Sequence, residues 1–213
     1  NHIRVLRLVV PGFEVQDLAQ VVEFGGGTGD LVAAFRDLGF RGTHLVVDMP
    51  PMNLLHYYWT RYSGLPSFLG STVPCNLSSA KNHIVLESSE DPTRLRCHID
   101  PSVKKQSLFF ATYSFTEADV MTRDLIRPLI EDFGTIFLAF YSLWDNLNND
   151  KYLRDFLYTR LEDSHHVISW KTHFGGGFYL VARRRDLGPP YCNTDANCHW
   201  YTMHHSLPRG GLR

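Results

Sequence analysis

The sequence predicts an α/β fold built on a mostly parallel, doubly wound sheet with one antiparallel edge strand. Apolar runs of strand length alternate with runs of helical spacing along most of the chain, and a glycine-rich turn joins the first such pair. The last two strand-like runs follow one another with no helix between them. Alternating strands and helices form parallel units with right-handed crossovers, whereas consecutive strands pair antiparallel. Together these observations predict a Rossmann-like sheet.

The chain is long enough for one domain. Its 213 residues, 44% of them hydrophobic, can bury one full core. We expect a lead-in over residues 1–19, the α/β domain over 20–185 and an extended tail over 186–213, where turn formers and scattered aromatics show no amphipathic period. The first residue is Asn1 rather than Met, so we expect a fragment, a processed form or an incompletely observed chain, from which any targeting segment could be missing.

The individual elements follow from the spacing of apolar residues. Residues 3–10 are apolar and fit either a strand or a helix. The stretch 66–81 is rich in Pro, Ser and Gly and is typical of a loop, and the stretch 87–101 is polar and shows no period. Short apolar runs predict strands at 21–24, 43–47, 83–86, 107–112, 135–141, 167–170 and 178–182. Amphipathic spacing predicts helices at 31–38, 53–62, 117–133 and 151–161.

Charge and composition restrict the kinds of molecule that the chain is expected to bind and the compartment in which it is expected to fold. The net charge of −1 argues against a nucleic-acid or anionic-membrane partner, since both require a basic excess. No run reaches the roughly 20 apolar residues of a membrane span. The four cysteines are scattered and lack C-x-x-C spacing, so we expect no disulfide framework and an intracellular, reducing compartment. The C-terminal cysteines and histidines do not have an established zinc-finger spacing, and we expect no metal site.

The stretch VVEFGGGTGD, residues 21–30, predicts a ligand site. A strand, a glycine-rich turn and a helix place N–H groups at the carboxyl end of the sheet, where open α/β folds bind ligands. A P-loop requires GxxxxGK[ST], and no lysine follows here. A dinucleotide motif requires GxGxxG, but its third glycine would be Asp30, an acid where a pyrophosphate binds. The pattern that fits is acid-x-Gly-x-Gly-x-Gly, at Glu23, Gly25, Gly27 and Gly29.

This pattern resembles the first motif of Rossmann-like (class I) S-adenosylmethionine-dependent methyltransferases. The resemblance implies S-adenosylmethionine as cofactor, which carries no phosphate, with Glu23 helping to hold its amino group. Asp48 ends the second predicted strand, nineteen residues after Gly29, where a carboxylate can accept both ribose hydroxyl hydrogen bonds. The alternative is that the turn only joins a strand to a helix and that Asp48 only caps a helix. The expected cofactor-binding residues are Glu23, Phe24, Gly25, Gly26, Gly27, Gly29, Asp48 and Met49.

Two further segments, LVVDMPPMNLLHYYWTRY and LFFATYSFTEADVMTRDLIRPLI, resemble the sugar O-methyltransferase group of this superfamily. The counterparts of that group's motifs are Asp48-Met49-Pro50 and Ser114-Phe115-Thr116-Glu117. The resemblance covers about residues 20–183. It implies O-methylation of a hydroxyl on a sugar, a glycan or another small molecule.

O-methylation requires an acceptor oxygen aligned with the methyl–sulfur axis, and a general base when the acceptor is an alcohol. In this fold the acceptor lies over the ends of the fourth and fifth strands. The candidate catalytic residues are Glu117, Asp145 and His173. The candidate acceptor-binding residues are Tyr113, Ser114, Tyr141, Trp144 and Asn146.

Each of these candidates also has a structural interpretation. Ser114 and Glu117 have the S/T-x-x-E spacing of a capping box, and Asp145-Asn146 is a favourable turn pair. The two tyrosines could pack at strand ends, and His173 could be structural or exposed.

A second class of function is a catalytically silent methyltransferase-like subunit that acts as a scaffold or binding module. No catalytic base stands out, and the tail over 186–213 could contact a protein partner. A nucleic-acid methyltransferase is disfavoured, since no NPPY-type segment ends the fourth strand and the chain has no basic excess.

Overall fold

The computed structural model describes residues 2–74, 82–171 and 177–190. The strands in these residues are β1 (Gln20–Phe24), β2 (Thr43–Asp48), β3 (Ser67–Leu69), β4 (Ile84–Ser88), β5 (Ser107–Thr112), β6 (Thr135–Tyr141), β7 (Leu143–Trp144), β8 (Leu147–Asn148), β9 (His165–Lys171) and β10 (Gly177–Arg184). The α-helices are α1 (His2–Val9), α2 (Asp30–Asp37), α3 (Pro50–Tyr62), α4 (Pro92–His98), α5 (Ser114–Glu117), α6 (Val120–Ile130) and α7 (Asn149–Phe156).

Eight strands form one sheet in the order β3-β4-β2-β1-β5-β6-β10-β9. Neighbouring strands are parallel except for β10, which runs antiparallel to β6 and to the outermost strand β9. The predicted fold class, a mostly parallel sheet with an antiparallel strand at one edge, is confirmed. The chain order reverses beside β1, which has β2 on one side and β5 on the other. Ligands bind at such switch points in open α/β sheets.

Helices cover both faces of the sheet. Successive strand residues point to opposite faces, so Val21 and Val22 belong to different cores. Val21 packs in a cluster with Phe35 of α2, whereas Val22 packs in a cluster with Ile126 of α6. The sheet is therefore doubly wound, and its carboxyl edge between the two helical layers remains available for a site.

Residues 3–10, which fit either a strand or a helix, form α1 over most of their length. The apolar side chains of Ile3, Leu6 and Val9 recur with helical spacing and are all buried. They belong to the same cluster as Val21 and Phe110 of the sheet. Part of the expected lead-in thus contributes to the core of the domain.

The stretch expected to be a loop, 66–81, and the stretch without a period, 87–101, both contain regular structure. Ser67–Leu69 form the edge strand β3, and Pro92–His98 form α4. A strand of three residues is too short to show an alternation. In α4 the buried side chains include Leu95 and a polar one, His98, so the helix carries no apolar stripe that a sequence pattern would detect.

The helix expected over 117–133 is divided. Ala118 has an extended backbone (ψ 157°), which ends α5, and Asp119 begins α6 by accepting a hydrogen bond from the N–H of Thr122 at 2.9 Å. The helix expected over 151–161 begins earlier, as α7, and continues as the π-helical turn Leu157–Leu161.

Cys97 in α4 is disulfide-bonded, and the other three cysteines lie outside the described residues. This bond contradicts the expectation that the cysteines stay reduced. It also removes the argument for a reducing compartment, since structural disulfides persist mainly in oxidising ones. Sequence spacing could not show the pairing, because pairing depends on which segments the fold brings within reach.

The described chain ends shortly after β10. Arg185–Leu187 form a 3₁₀ turn, and the remainder of the expected tail beyond residue 190 lies outside the described residues. In the part of the chain that the structure describes, no helix combines the length and hydropathy of a membrane span.

Candidate functional site

The glycine turn between β1 and α2 lies at the carboxyl edge of the sheet. Gly25, Gly27 and Gly29 have φ values of +74°, +58° and +88°, which L side chains rarely adopt. Gly26 is required for a different reason. A Cβ on Gly26 would lie 2.6 Å from Val46 Cγ1 and 2.7 Å from His56 Cε1. The turn is therefore packed closely against β2 and α3, whereas a Cβ on Gly27 would meet nothing within 4 Å.

Asp48 holds the turn from the neighbouring strand. Its carboxylate ends β2 and is 8% exposed. Asp48 Oδ2 accepts a hydrogen bond from the N–H of Gly27 at 3.0 Å, and Oδ1 accepts one from the N–H of Met49 at 2.8 Å. Each carboxylate oxygen retains a further lone pair that a ligand hydroxyl could use. The Met49 side chain is 59% exposed beside it.

Glu23 and His44 form a buried pair beneath the turn. Glu23 Oε2 lies 3.0 Å from His44 Nε2, and both side chains are almost fully buried. Burial raises the pKa of Glu23 to about 8, against an opposing effect of His56 and with a smaller contribution from Asp48. Burial, aided by Arg36, lowers the pKa of His44 to about 3. At neutral pH the contact is therefore a hydrogen bond between two neutral groups rather than an ion pair.

A cavity of about 800 Å³ opens between the glycine turn and α1. On the sheet side it is lined by Glu23, Gly25, Gly26, Gly27 and Thr112. On the α1 side it is lined by His2, Ile3, Arg4 and Arg7. The predicted acid and three of the predicted glycines thus share one cavity, and the hydrogen bond from Gly27 connects that cavity to Asp48.

Phe24 takes a different position from the other candidates in its motif. Its ring packs edge-on against Phe115, with centroids 5.8 Å apart, in the core on the other face of the sheet. Its carbonyl oxygen accepts a hydrogen bond from the hydroxyl of Ser114. Ser114 thus ties the end of β5 to the start of the glycine turn, and it leaves no space for a Cβ on Gly25.

The ends of β5 and β6 carry three stacked aromatic rings. Tyr113 and Tyr141 lie 4.6 Å apart between centroids at 24°, and Tyr141 and Trp144 lie 6.4 Å apart at 16°. Tyr113 has φ +68° and ψ −44°, an unfavourable conformation for a non-glycine residue. Tyr113 directly follows Thr112, which lines the cavity. The other end of the stack, Trp144, is 41% exposed.

Glu117 lies at the end of α5, and its side chain is exposed. Partial burial raises its pKa, and Glu117 in turn contributes to a raised pKa of Tyr113, for which burial is the largest cause. The hydroxyl of Ser114 bonds to Phe24 and does not cap α5, whose N-cap residue is Tyr113. The capping-box interpretation of Ser114 and Glu117 is therefore wrong.

Asp145 and Asn146 form the two-residue turn of the β7–β8 hairpin. Their φ values are +43° and +66°, and two consecutive positive φ values are typical of a type I′ hairpin turn. Both side chains are exposed. Turn geometry accounts for these residue types. His173, the third candidate base, lies outside the described residues.

Three contributors to the site were absent from the sequence expectations. His44 pairs with Glu23, and His56 lies under the turn with both ring nitrogens buried and without a hydrogen-bond partner among the described residues. The helix α1 supplies one wall of the cavity. Histidines at these positions show no distinctive spacing, so only the strand register brings His44 beside Glu23. The described residues contain no group of three or more acidic, histidine or cysteine side chains that could hold a metal ion.

Comparison with known proteins identifies the fold. No family model and no curated protein matches the chain. Among solved structures, the methyltransferase domain of bacterial CtHen1 matches with a TM-score of 0.51 and 11% identity, over 85% of this chain and 94% of that one. The chain has the methyltransferase fold. CrArsM, an arsenic(III) S-adenosylmethionine methyltransferase from Chlamydomonas reinhardtii, matches with a TM-score of 0.50 and 13% identity, over 80% of this chain and 64% of that one.

Proposed function

We propose that this protein is an S-adenosylmethionine-dependent methyltransferase. The observation that supports this most directly is the cavity in which Glu23 and the glycine turn meet, with Asp48 one hydrogen bond away. The methyltransferase fold places this cavity at the switch point of the sheet. The residues of the site also fit the cofactor, because the carboxyl oxygens of Glu23 and Asp48 can accept hydrogen bonds from an amino group and from ribose hydroxyls.

The residues of the site would have separate tasks. S-adenosylmethionine supplies an electrophilic methyl group on a sulfonium sulfur. Asp48 would accept the ribose hydroxyl hydrogen bonds while it holds Gly27. Glu23 would accept a hydrogen bond from the amino group. Gly27, which has open space where a Cβ would stand, would let the backbone approach the ligand.

The proposed acceptor is a hydroxyl on a sugar or another small ring compound. The stack of Tyr113, Tyr141 and Trp144 forms an apolar platform at the ends of β5 and β6, and its outer ring is accessible. Such a platform suits the flat apolar face of a ring whose hydroxyls remain free to hydrogen-bond. Among the described candidates, Glu117 is the proposed base, because its raised pKa brings it closer to the range in which proton acceptance is efficient.

Two variants test the two halves of the proposal. Isothermal titration with S-adenosylhomocysteine should show that Asp48→Asn lowers the affinity about tenfold or more, since a charged acceptor is lost. Trp144→Ala should keep that affinity, yet raise the acceptor KM when labelled S-adenosylmethionine is assayed against a panel of glycosides and alcohols. Asp163→Asn changes an exposed carboxylate elsewhere and serves as the matched control.

The outcomes separate enzyme from scaffold. If the wild type does not bind S-adenosylhomocysteine, the proposal is wrong and a scaffold role is favoured. Binding without transfer to any member of the panel would indicate a catalytically silent relative.

A further inference from the structure

The wall of the cavity formed by α1 carries positive charge opposite the glycine turn. Arg4 and Arg7 stand three positions apart on one side of α1, and both line the cavity. The opposite side of the helix is fixed, because Ile3, Leu6 and Val9 are buried in the core. The direction in which the two arginines project is thus set by packing.

The three basic side chains of this wall, His2, Arg4 and Arg7, differ in how far they are already engaged. Arg7 is engaged, since its Nη2 lies 3.1 Å from Glu14 Oε2. The ring of His2 packs against the rings of Phe137 and Tyr179, and burial lowers its pKa, which disfavours the protonated form. Arg4 is exposed and has no ion-pair or hydrogen-bond partner among the described residues. Its guanidinium is the group that a ligand could engage without breaking an existing contact.

The cavity therefore has an acid on one side and a free guanidinium on the other. Glu23 offers a carboxyl oxygen that can accept a hydrogen bond from an ammonium group, and Arg4 suits a carboxylate, which it can bind with two parallel hydrogen bonds. An α-amino acid end carries both groups on one carbon. We infer that Arg4 binds the carboxylate of the methionyl end of S-adenosylmethionine and that α1 forms the wall of this subsite. The inference rests on the proposed function and assigns to α1 a role that the sequence did not indicate.

Ligands that differ only in the amino-acid end test this assignment. S-adenosylhomocysteine has the carboxylate, S-adenosyl-3-thiopropylamine lacks it but keeps the amine, and 5′-methylthioadenosine lacks both. By isothermal titration, Arg4→Ala should weaken binding of S-adenosylhomocysteine about tenfold, the effect of a lost charge-assisted contact. It should leave the affinities for the other two ligands unchanged. Arg4→Lys should recover part of the loss, since it keeps the charge but not the bidentate geometry.

Controls keep the test independent of folding and of the proposed function. Arg96→Ala removes an exposed arginine from α4, outside the cavity, and should bind all three ligands like the wild type. Equal affinity of the wild type and Arg4→Ala for S-adenosylhomocysteine would overturn the role of Arg4 alone, and so would an equal loss for all three ligands. If the wild type binds none of them, the proposed function fails and the inference fails with it.

Discussion

At the scale of single residues, Glu23 is a carboxyl group whose charge is set by its surroundings. The acid-x-Gly spacing predicted an acid at the end of the first strand, and Glu23 is the penultimate residue of β1 and lines the cavity. The spacing could not reveal its protonation, because that depends on burial and on the charges of His56 and Asp48, which are distant from Glu23 in sequence. The sequence therefore predicted the position of the residue and not its state.

The raised pKa of Glu23 makes stability depend on pH. Between its ordinary value of 4.5 and about 8, the folded state binds a proton that the unfolded state does not. Glu23 thus favours folding least at high pH, and its contribution declines as pH rises toward 8. We expect the free energy of unfolding of the wild type, relative to Glu23→Gln, to fall by about 1.4 kcal/mol per unit between about pH 5 and 8. Urea denaturation at several pH values measures it.

The control for this titration is Glu162→Gln, which changes an exposed carboxylate after the π-helical turn. Its stability should follow the wild type across the same range. A difference between wild type and Glu23→Gln that stays constant with pH would show that Glu23 is ionised in the folded protein.

At the scale of elements, the glycine turn combines two kinds of glycine. Gly26 is needed because β2 and α3 leave no space for a side chain, whereas Gly27 lines the cavity with open space at its Cβ and is favoured there by its φ of +58°. The sequence pattern counted all of them as equivalent. It also suggested functional roles for Asp145 and Asn146, for which the type I′ turn gives a sufficient local reason.

Alanine substitutions should separate the two kinds of glycine. The methyl group of Gly26→Ala would clash with Val46 and His56 and push both away from the turn. The free energy of unfolding should fall by about 1–3 kcal/mol, the usual effect of overpacking. Gly27→Ala has space for the methyl group, so its stability cost should be only the roughly 1–2 kcal/mol of a left-handed alanine.

The methyl group of Gly27→Ala would, however, project where the ligand approaches, and S-adenosylhomocysteine should bind about tenfold more weakly or worse. Thermal melting and isothermal titration on both variants make the comparison. Unchanged affinity in Gly27→Ala would mean that the ligand does not pass over this part of the turn.

At the scale of the whole molecule, sequence patterns predicted most of the strands of the sheet, but they did not predict which distant segments come together at the site. Period and turn signals were sufficient for the central parallel strands and the antiparallel strand, because apolar residues predominate in them, but they missed the short edge strand β3. They missed α1 as a wall of the cavity, because apolar residues alone do not say where a helix packs. They also missed the disulfide of Cys97, since pairing is a property of the folded chain.

The central claim is that the cavity at the glycine turn accepts S-adenosylmethionine rather than a phosphate-bearing cofactor. Parallel isothermal titrations of the wild-type protein with S-adenosylhomocysteine and with NAD⁺ test it directly. We predict one binding site for S-adenosylhomocysteine and no measurable binding of NAD⁺, because Asp30 stands where a dinucleotide motif places its third glycine. Binding of NAD⁺ without binding of S-adenosylhomocysteine would contradict the claim.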